Sequence, residues 1–194
     1  MRNIRTVILA SASPRREEIL RKTGLKFRID ESKHEEHDVP GLKPHELVKF
    51  HARQKARDVA RRHRNALVIA ADTIVVLKGS LYGKPRNRAQ AEKMLKALSG
   101  KAHSVITGFT IRDSDDSREF SGSVETKVFF KRLSIDEIKA YVRSGEPLDK
   151  AGAYGIQGLG AVLIKKIEGD FFNVAGLPLH ALSKGLKKFG VFVL

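Results

Sequence analysis

Short apolar runs in this chain predict the strands of a β-sheet. Runs of four to eight residues rich in β-branched side chains, such as 6–10 (TVILA) and 66–71 (ALVIAA), are typical of buried strands. The predicted strands are 6–10, 26–30, 66–71, 74–77, 103–112, 124–130 and 161–167. The pair Lys78 and Gly79 is expected to turn the chain after the fourth of them.

Amphipathic segments with start and stop signals predict the helices. Ser13 and Pro14 form an N-cap followed by proline, and Ser134 with Glu137 has the spacing of a capping box. The predicted helices are 14–23, a long helix from Pro44 with an apolar face through Ala60, 88–98, 134–144 and 178–189. Helices and strands alternate in the first half and strands dominate the middle, which predicts an α/β fold with a mixed sheet.

Length and composition exclude several classes of protein. A chain of 194 residues fits one domain or two small lobes. It contains no cysteine, which excludes disulfides, thiolate catalysis and cysteine-ligated zinc. Its longest apolar run, 66–71, is too short to cross a bilayer, and the first residues carry no secretory pattern. A cytoplasmic location and no association with membranes are therefore expected.

The charge is strongly positive. The chain has 37 lysines and arginines against 22 aspartates and glutamates, which gives a net charge of +15. Such an excess favours a polyanionic partner, either nucleic acid, a membrane surface or a phosphorylated small molecule. A solvated basic surface with no such partner explains the charge equally well.

The first candidate site is the segment 11–16 (SASPRR), which follows a predicted strand and begins a predicted helix. Free backbone N–H groups and the positive end of the helix dipole bind phosphate. Arg15 and Arg16 would oppose that dipole unless an anion compensates them, so phosphate binding is favoured over plain capping.

The second candidate is Asp72, an acid directly after the apolar run 66–71. In open α/β sheets the ligand lies outside the carboxyl ends of the strands, which suggests an active-site carboxylate. The alternative is an aspartate that forms a turn between two strands.

Three further segments and the single residue Lys55 carry weaker signals. In 34–37 (HEEH) the spacing is wrong for a zinc motif, so a carboxylate that serves a hard cation such as Mg²⁺ is more plausible. Lys84 lies between glycine and proline on a constrained loop. Lys55 by itself looks like a surface lysine whose stem covers apolar residues. The glycines of 149–160 let the backbone approach a ligand closely, and Gln157 among them could present its amide to a base edge.

Together these motifs make the sequence recognisable. It resembles the Maf family of nucleoside triphosphate pyrophosphatases, in particular the subgroup that acts on dTTP and UTP, and the similarity runs nearly end to end. The matching segments are 9–16 (LASASPRR), 71–73 (ADT), 83–85 (GKP), 98–108 (LSGKAHSVITG), 146–158 (EPLDKAGAYGIQG) and 173–178 (NVAGLP). The resemblance implies an elongated mixed sheet with flanking helices and two lobes around a cleft, similar to inosine triphosphate pyrophosphatase.

The resemblance also implies an activity and its residues. The family hydrolyses a nucleoside triphosphate to the monophosphate and pyrophosphate with a divalent metal, Mg²⁺ or Mn²⁺, in nucleotide-pool housecleaning with a link to cell division arrest. Asp72 would be the general base or a metal-linked acid, and Glu36 or the adjacent Glu35 would help it to hold the metal. The residues implied to bind the phosphates or the nucleotide are Ser11, Arg15, Arg16, Lys55, Thr73, Lys84 and Gln157. A homodimer is also expected.

Two other functions remain open at this stage. A nucleic-acid-binding protein is favoured only by the charge, since the chain has no tryptophan and 3 tyrosines to stack on bases. A division regulator without catalytic activity would not need Asp72 and Lys84, and both are present.

Overall fold

A computed structural model describes residues 5–37, 39–116 and 118–193 of the chain. Strands and helices follow one another in the order expected for an α/β protein. The strands are β1 (Thr6–Leu9), β2 (Phe27–Ile29), β3 (Ala66–Leu77), β4 (Ser80–Tyr82), β5 (Ala102–Asp113), β6 (Glu119–Phe130) and β7 (Ile164–Glu168). The helices are α1 (Pro14–Arg21), α2 (Pro44–Ala60), α3 (Arg88–Leu98), α4 (Ile135–Arg143), α5 (Phe171–Ala175) and α6 (Leu179–Lys187). Short 3-10 helices cover Glu146–Asp149, Ala151–Ala153 and Leu159–Leu163.

The strands form one seven-stranded mixed sheet, which confirms the predicted fold class. Its order is β2-β1-β3-β5-β6-β7, with β4 paired to β3. Strand β1 is parallel to β2 and β3, whereas β4 is antiparallel to β3 and β7 is antiparallel to β6. Among the described residues, no helix is long and apolar enough to cross a membrane.

Two strand predictions are wrong, one about the continuity of β3 and one about the start of β7. The runs 66–71 and 74–77 form one continuous strand, β3, so Asp72 lies inside a strand and not in a turn between two. The β-branched residues after Asp72 extend the strand to Leu77, where Lys78 and Gly79 make the predicted turn with φ of 49° and 82°. The predicted strand 161–167 begins only at Ile164, because residues Leu159–Leu163 form a 3-10 helix.

The chain divides into two compact units. The first comprises the described residues within Met1–Asp72, Thr107–Val124 and Gly176–Leu194. In it α2 packs its small residues, Ala56, Val59 and Ala60, against β1 and β3. The backbone of α2 also comes very near Gly108 on β5, since a Cβ on that glycine would lie 2.5 Å from the carbonyl carbon of Val48.

The second unit comprises Thr73–Ile106 and Glu125–Ala175. Its core is formed by buried residues of α3 and α4 with strand residues such as Val75 and Val128. The ring of His103 is buried there edge-on to Phe130 and Tyr154, and its Nε2 shares a hydrogen bond of 2.7 Å with the Tyr154 hydroxyl. Burial lowers the pKa of His103 from 6.5 to about 4, although the backbone of Lys101 offsets part of the effect.

The low pKa of His103 predicts a loss of stability in acid. Between pH 6.5 and pH 4 the unfolded chain binds a proton at this residue that the folded chain does not. The free energy of unfolding should therefore fall by about 3 kcal/mol through this window, with no further loss from His103 below it. Urea unfolding at a series of pH values should show a shallower fall for His103→Gln than for the unchanged protein. An NMR titration with the His103 pKa near 6.5 would contradict the prediction.

Candidate active site

Lys55 holds two carboxylates together in the first unit. Its Nζ donates to Asp72 Oδ1 at 2.8 Å, to the carbonyl oxygen of Ala71 at 3.4 Å, and to Glu36. The side chains of Lys55 and Asp72 are only 8% and 4% exposed, whereas Glu36 is 37% exposed. The interpretation of Lys55 as a surface lysine is therefore wrong, because its ammonium group is buried and paired.

The surroundings of Asp72 set its basicity. Burial raises the pKa of Asp72, and the nearby charge of Glu36 raises it further. Lys55 opposes the shift by its charge and its hydrogen bond, and Arg16 opposes it by its charge. The net result is a carboxylate that is a stronger base than an exposed aspartate, with a lysine beside it that favours the ionised form.

The start of α1 brings Ser11 and Arg16 to the same charged group. Arg16 donates through Nε to the carbonyl of Gly176 at 2.8 Å and through Nη1 to the Ser11 hydroxyl at 3.3 Å. Burial lowers the pKa of Arg16, the charges of Asp72 and Glu36 raise it, and that of Arg15 lowers it. Arg16 thus lies in the field of the two carboxylates, with Ser11 and Arg15 beside it. Binding of phosphate by these residues stays a prediction.

The segment that carries Glu36 is tied to one face of α2. Asp58 Oδ2 accepts hydrogen bonds from the Ser32 hydroxyl at 2.9 Å and from the Lys33 N–H at 2.8 Å. Farther along, His51 Nε2 donates to the His37 carbonyl oxygen at 2.8 Å. These contacts lie on either side of the one between Glu36 and Lys55. Since His51, Lys55 and Asp58 are spaced i, i+4 and i+7, one helix face places the Glu36 carboxylate.

The sequence reasoning missed His51 and Asp58 as part of this arrangement. The available signal was their spacing from Lys55 on a predicted helix, four residues before it and three residues after it. His51 Nδ1 also shares a hydrogen bond of 3.0 Å with His34 Nε2. Burial lowers the pKa of His34, the neighbouring groups His51, Lys55 and His37 lower it further, and the charge of Asp72 partly offsets them.

The donor set fits a hard divalent cation better than zinc. Within the described ranges, no group of three or more histidine, aspartate and glutamate side chains has the geometry of a metal site. Two carboxylates that reach the same ammonium group, those of Glu36 and Asp72, do fit Mg²⁺ or Mn²⁺, which bind one or two carboxylates together with substrate phosphates. Of the two adjacent glutamates, Glu36 is the one in contact with Lys55.

The remaining predicted residues belong to the second unit. Thr73 is half-buried on β3, directly after Asp72, and Lys84 is exposed between β4 and α3. Gln157 lies in the glycine-rich segment before the 3-10 helix Leu159–Leu163. Its carboxamide oxygen is buried and accepts no hydrogen bond from the described residues.

The chain is similar to known proteins along nearly its whole length. A family model described as "Maf-like protein" matches residues 6–189. A protein from Methanosarcina barkeri named dTTP/UTP pyrophosphatase is 52% identical over 191 residues, which cover 98% of this chain and 97% of the relative. One of the same name from Symbiobacterium thermophilum is 50% identical over 184 residues, which cover 95% of this chain and 94% of the relative.

A solved structure supports the fold independently. The HAM1 protein from Coxiella burnetii matches with a TM-score of 0.50 at 14% sequence identity, covering 95% of this chain and 100% of that chain. At this level of identity the match supports the α/β fold alone. The family model, which spans nearly all of the sequence, and the relatives at half identity decide the family. This chain belongs to the Maf-like protein family.

Proposed function

We propose that this protein hydrolyses dTTP and UTP to the monophosphate and pyrophosphate, as an enzyme of nucleotide-pool housecleaning. The observation that carries the proposal is the buried pair of Lys55 and Asp72, with the more exposed Glu36 bound to the same ammonium group, in a chain that is half identical to relatives named dTTP/UTP pyrophosphatase. Hydrolysis of a phosphoanhydride needs a base that activates water and positive groups that stabilise the phosphate charge, and a buried, basic carboxylate with cationic neighbours supplies both. A link to cell division arrest, a cytoplasmic location and a homodimer stay predictions from the sequence.

Asp72 has the properties of a general base. In the reaction a water oxygen attacks the α-phosphorus, the bond to the bridging oxygen breaks, and pyrophosphate leaves. Asp72 takes the proton that the water loses. Burial raises the pKa of this carboxylate, which strengthens it as a base, and the charge and hydrogen bond of Lys55 oppose that shift by favouring the ionised form.

The cationic residues have a separate role. Developing negative charge on the phosphates is stabilised by donors that are already in place. Arg16 is fixed by Ser11 and by the Gly176 carbonyl, so its guanidinium needs no reordering when a triphosphate binds. We assign phosphate binding or nucleotide positioning to Ser11, Arg15, Arg16, Lys55, Thr73 and Lys84. Gln157 is assigned to the pyrimidine base, whose N3–H would satisfy its buried carboxamide oxygen.

A divalent cation completes the proposal. Glu36 and Asp72 would hold Mg²⁺ or Mn²⁺, which when bound neutralises phosphate charge and acidifies water. Lys55 keeps the two carboxylates together. The contacts of Asp58 and His51 with the segment 32–37 fix the position of Glu36.

Product analysis in ¹⁸O-water tests the proposed reaction. The purified protein is incubated with dTTP, UTP, CTP or dATP, with Mg²⁺, with Mn²⁺ or with a chelator. We expect dTTP and UTP to release pyrophosphate, and to do so only when a metal is present. The label should appear in the monophosphate because the α-phosphorus is attacked. Label in the pyrophosphate, or release of orthophosphate and the diphosphate, would refute the proposal.

A further inference from the structure

The glycine-rich segment 155–160 is a closed loop in which the two ends touch. A Cβ on Gly160 would lie 2.4 Å from the carbonyl oxygen of Gly155 and 2.9 Å from its nitrogen. Only a residue without a side chain fits there. Gly158 has φ of 83°, in the region that favours glycine. Gln157 lies between these closely packed ends.

One carboxylate accepts hydrogen bonds from the closing end of this loop. Glu146 Oε2 accepts from the Leu159 N–H at 2.9 Å, and Glu146 Oε1 accepts from the Gly160 N–H at 3.0 Å. Hydrogen bonds from two successive backbone N–H groups to a carboxylate are charge-assisted and stronger than neutral ones. Glu146 lies 11 residues before Gln157 in the chain, outside the loop, so it ties the loop to the 3-10 helix Glu146–Asp149.

A tyrosine joins the other end of the loop to the same carboxylate. The Tyr141 hydroxyl donates to Glu146 Oε1 at 2.9 Å and accepts from the Gly155 N–H at 3.1 Å. Tyr141 is buried on α4, within the core of the second unit. Both ends of the loop are therefore fixed through Glu146 to a buried residue of a helix.

We propose that Glu146, with Tyr141, is a positioning residue that fixes Gln157 for recognition of the pyrimidine base. The inference rests on the proposed function and names what makes that site selective. A carboxamide can distinguish uracil or thymine from cytosine only if its oxygen and NH₂ group are held in register with the base edge. A loop of glycines cannot supply that rigidity by its own conformational preference. Glu146 and Tyr141 supply it through four hydrogen bonds.

Glu146→Gln is the variant that tests the inference. The amide is nearly the same size but has one accepting oxygen, so at least one of the two backbone N–H groups loses its partner. We expect the ratio of kcat/KM for dTTP to that for CTP to fall about tenfold, chiefly through a higher KM for dTTP. Tyr141→Phe, which keeps the core packing, should change the ratio in the same direction by a smaller factor.

Glu137→Gln is the matched control. Glu137 lies in the first turn of α4 and, like Glu146, accepts from a backbone N–H, that of Ser134 at 2.8 Å. Its hydrogen bonds within the described residues go to Ser134 and Lys131 and not to the loop. The Glu137→Gln variant should leave the ratio of kcat/KM for dTTP to that for CTP unchanged even if its melting temperature is lower. If Glu146 had a purely structural role, Glu146→Gln and Glu137→Gln would both leave the ratio of kcat/KM for dTTP to that for CTP unchanged.

A double variant distinguishes the possible failures. If Glu146 acts through Gln157, Glu146→Gln should change the ratio by less than about twofold when Gln157→Ala is already present. The inference is overturned if Gln157→Ala lowers the ratio and Glu146→Gln does not, and also if the two effects multiply. If Gln157→Ala lowers kcat/KM equally for dTTP, UTP and CTP, base recognition by Gln157 is wrong. Absence of pyrophosphate release by the unchanged protein would instead refute the proposed function.

Discussion

Asp72→Asn is expected to abolish most of the pyrophosphatase activity and to leave the fold intact. Loss of a general base typically lowers kcat by about 10²- to 10⁴-fold. The asparagine oxygen can still accept a hydrogen bond from Lys55, and Glu36 remains to balance the ammonium charge. Because burial already disfavours the charge of Asp72, a neutral isostere avoids that cost. Steady-state kinetics of pyrophosphate release and circular dichroism measure the two parts of this prediction.

Asp136→Asn is a suitable control for this experiment. Asp136 is exposed in the first turn of α4 and belongs to the second unit. The same chemical change there should leave kcat close to that of the unchanged protein. An Asp72→Asn protein that is folded and retains more than about a third of the original kcat would rule out the role of Asp72 as base.

Gly108→Ala is expected to have the largest effect on stability. The new Cβ would lie 2.5, 2.6 and 2.7 Å from backbone atoms of Val48 and Lys49, which cannot rotate away as a side-chain end can. Helix α2 would have to move off β5. Overpacking of this kind costs about 1–3 kcal/mol or more, and here we expect at least ~3 kcal/mol because only backbone can give way. Thermal unfolding should show a melting temperature lower by roughly 6–12 °C.

Gly83→Ala provides the comparison. Gly83 has no neighbour within 4 Å of the added Cβ and no positive φ, so its replacement should change the melting temperature by much less. Equal melting temperatures for Gly108→Ala and the unchanged protein would mean that α2 does not pack as closely on β5 as described. Because α2 carries Lys55, the Gly108 variant should also lose activity at temperatures where it is still folded.

Local signals in the sequence were sufficient for most of the elements. Ser13 caps α1, and Ser134 and Glu137 form the capping box of α4, because capping depends on residues three positions apart. The turn at Lys78 and Gly79 follows from the preference of glycine for positive φ. Strand β7 was predicted too long, because the apolar residues of 159–163 have no pattern that distinguishes a 3-10 helix from a strand.

The residues of the candidate site were found through the family resemblance more than through their own patterns. Glu36 and Asp72 are 36 positions apart in the chain, and no sequence pattern around either residue predicts that the two lie close together. Lys55 looked like a surface residue because a lysine at the edge of an apolar helix face usually reaches solvent. The missed residues His51, Asp58 and Glu146 act by hydrogen bonds to distant backbone, which no spacing rule reveals.

The sequence by itself determined the α/β class, the family and the identity of the charged residues, because these depend on composition, short-range periodicity and motif identity. Only the tertiary structure decided that β3 continues through Asp72 and that Lys55 is buried between two carboxylates. Only the fold likewise decided that Glu146 closes the loop of Gln157. The physical reason is the same in each case. Burial and pairing of a polar group depend on which distant segments pack around it, and no short stretch of sequence predicts that packing.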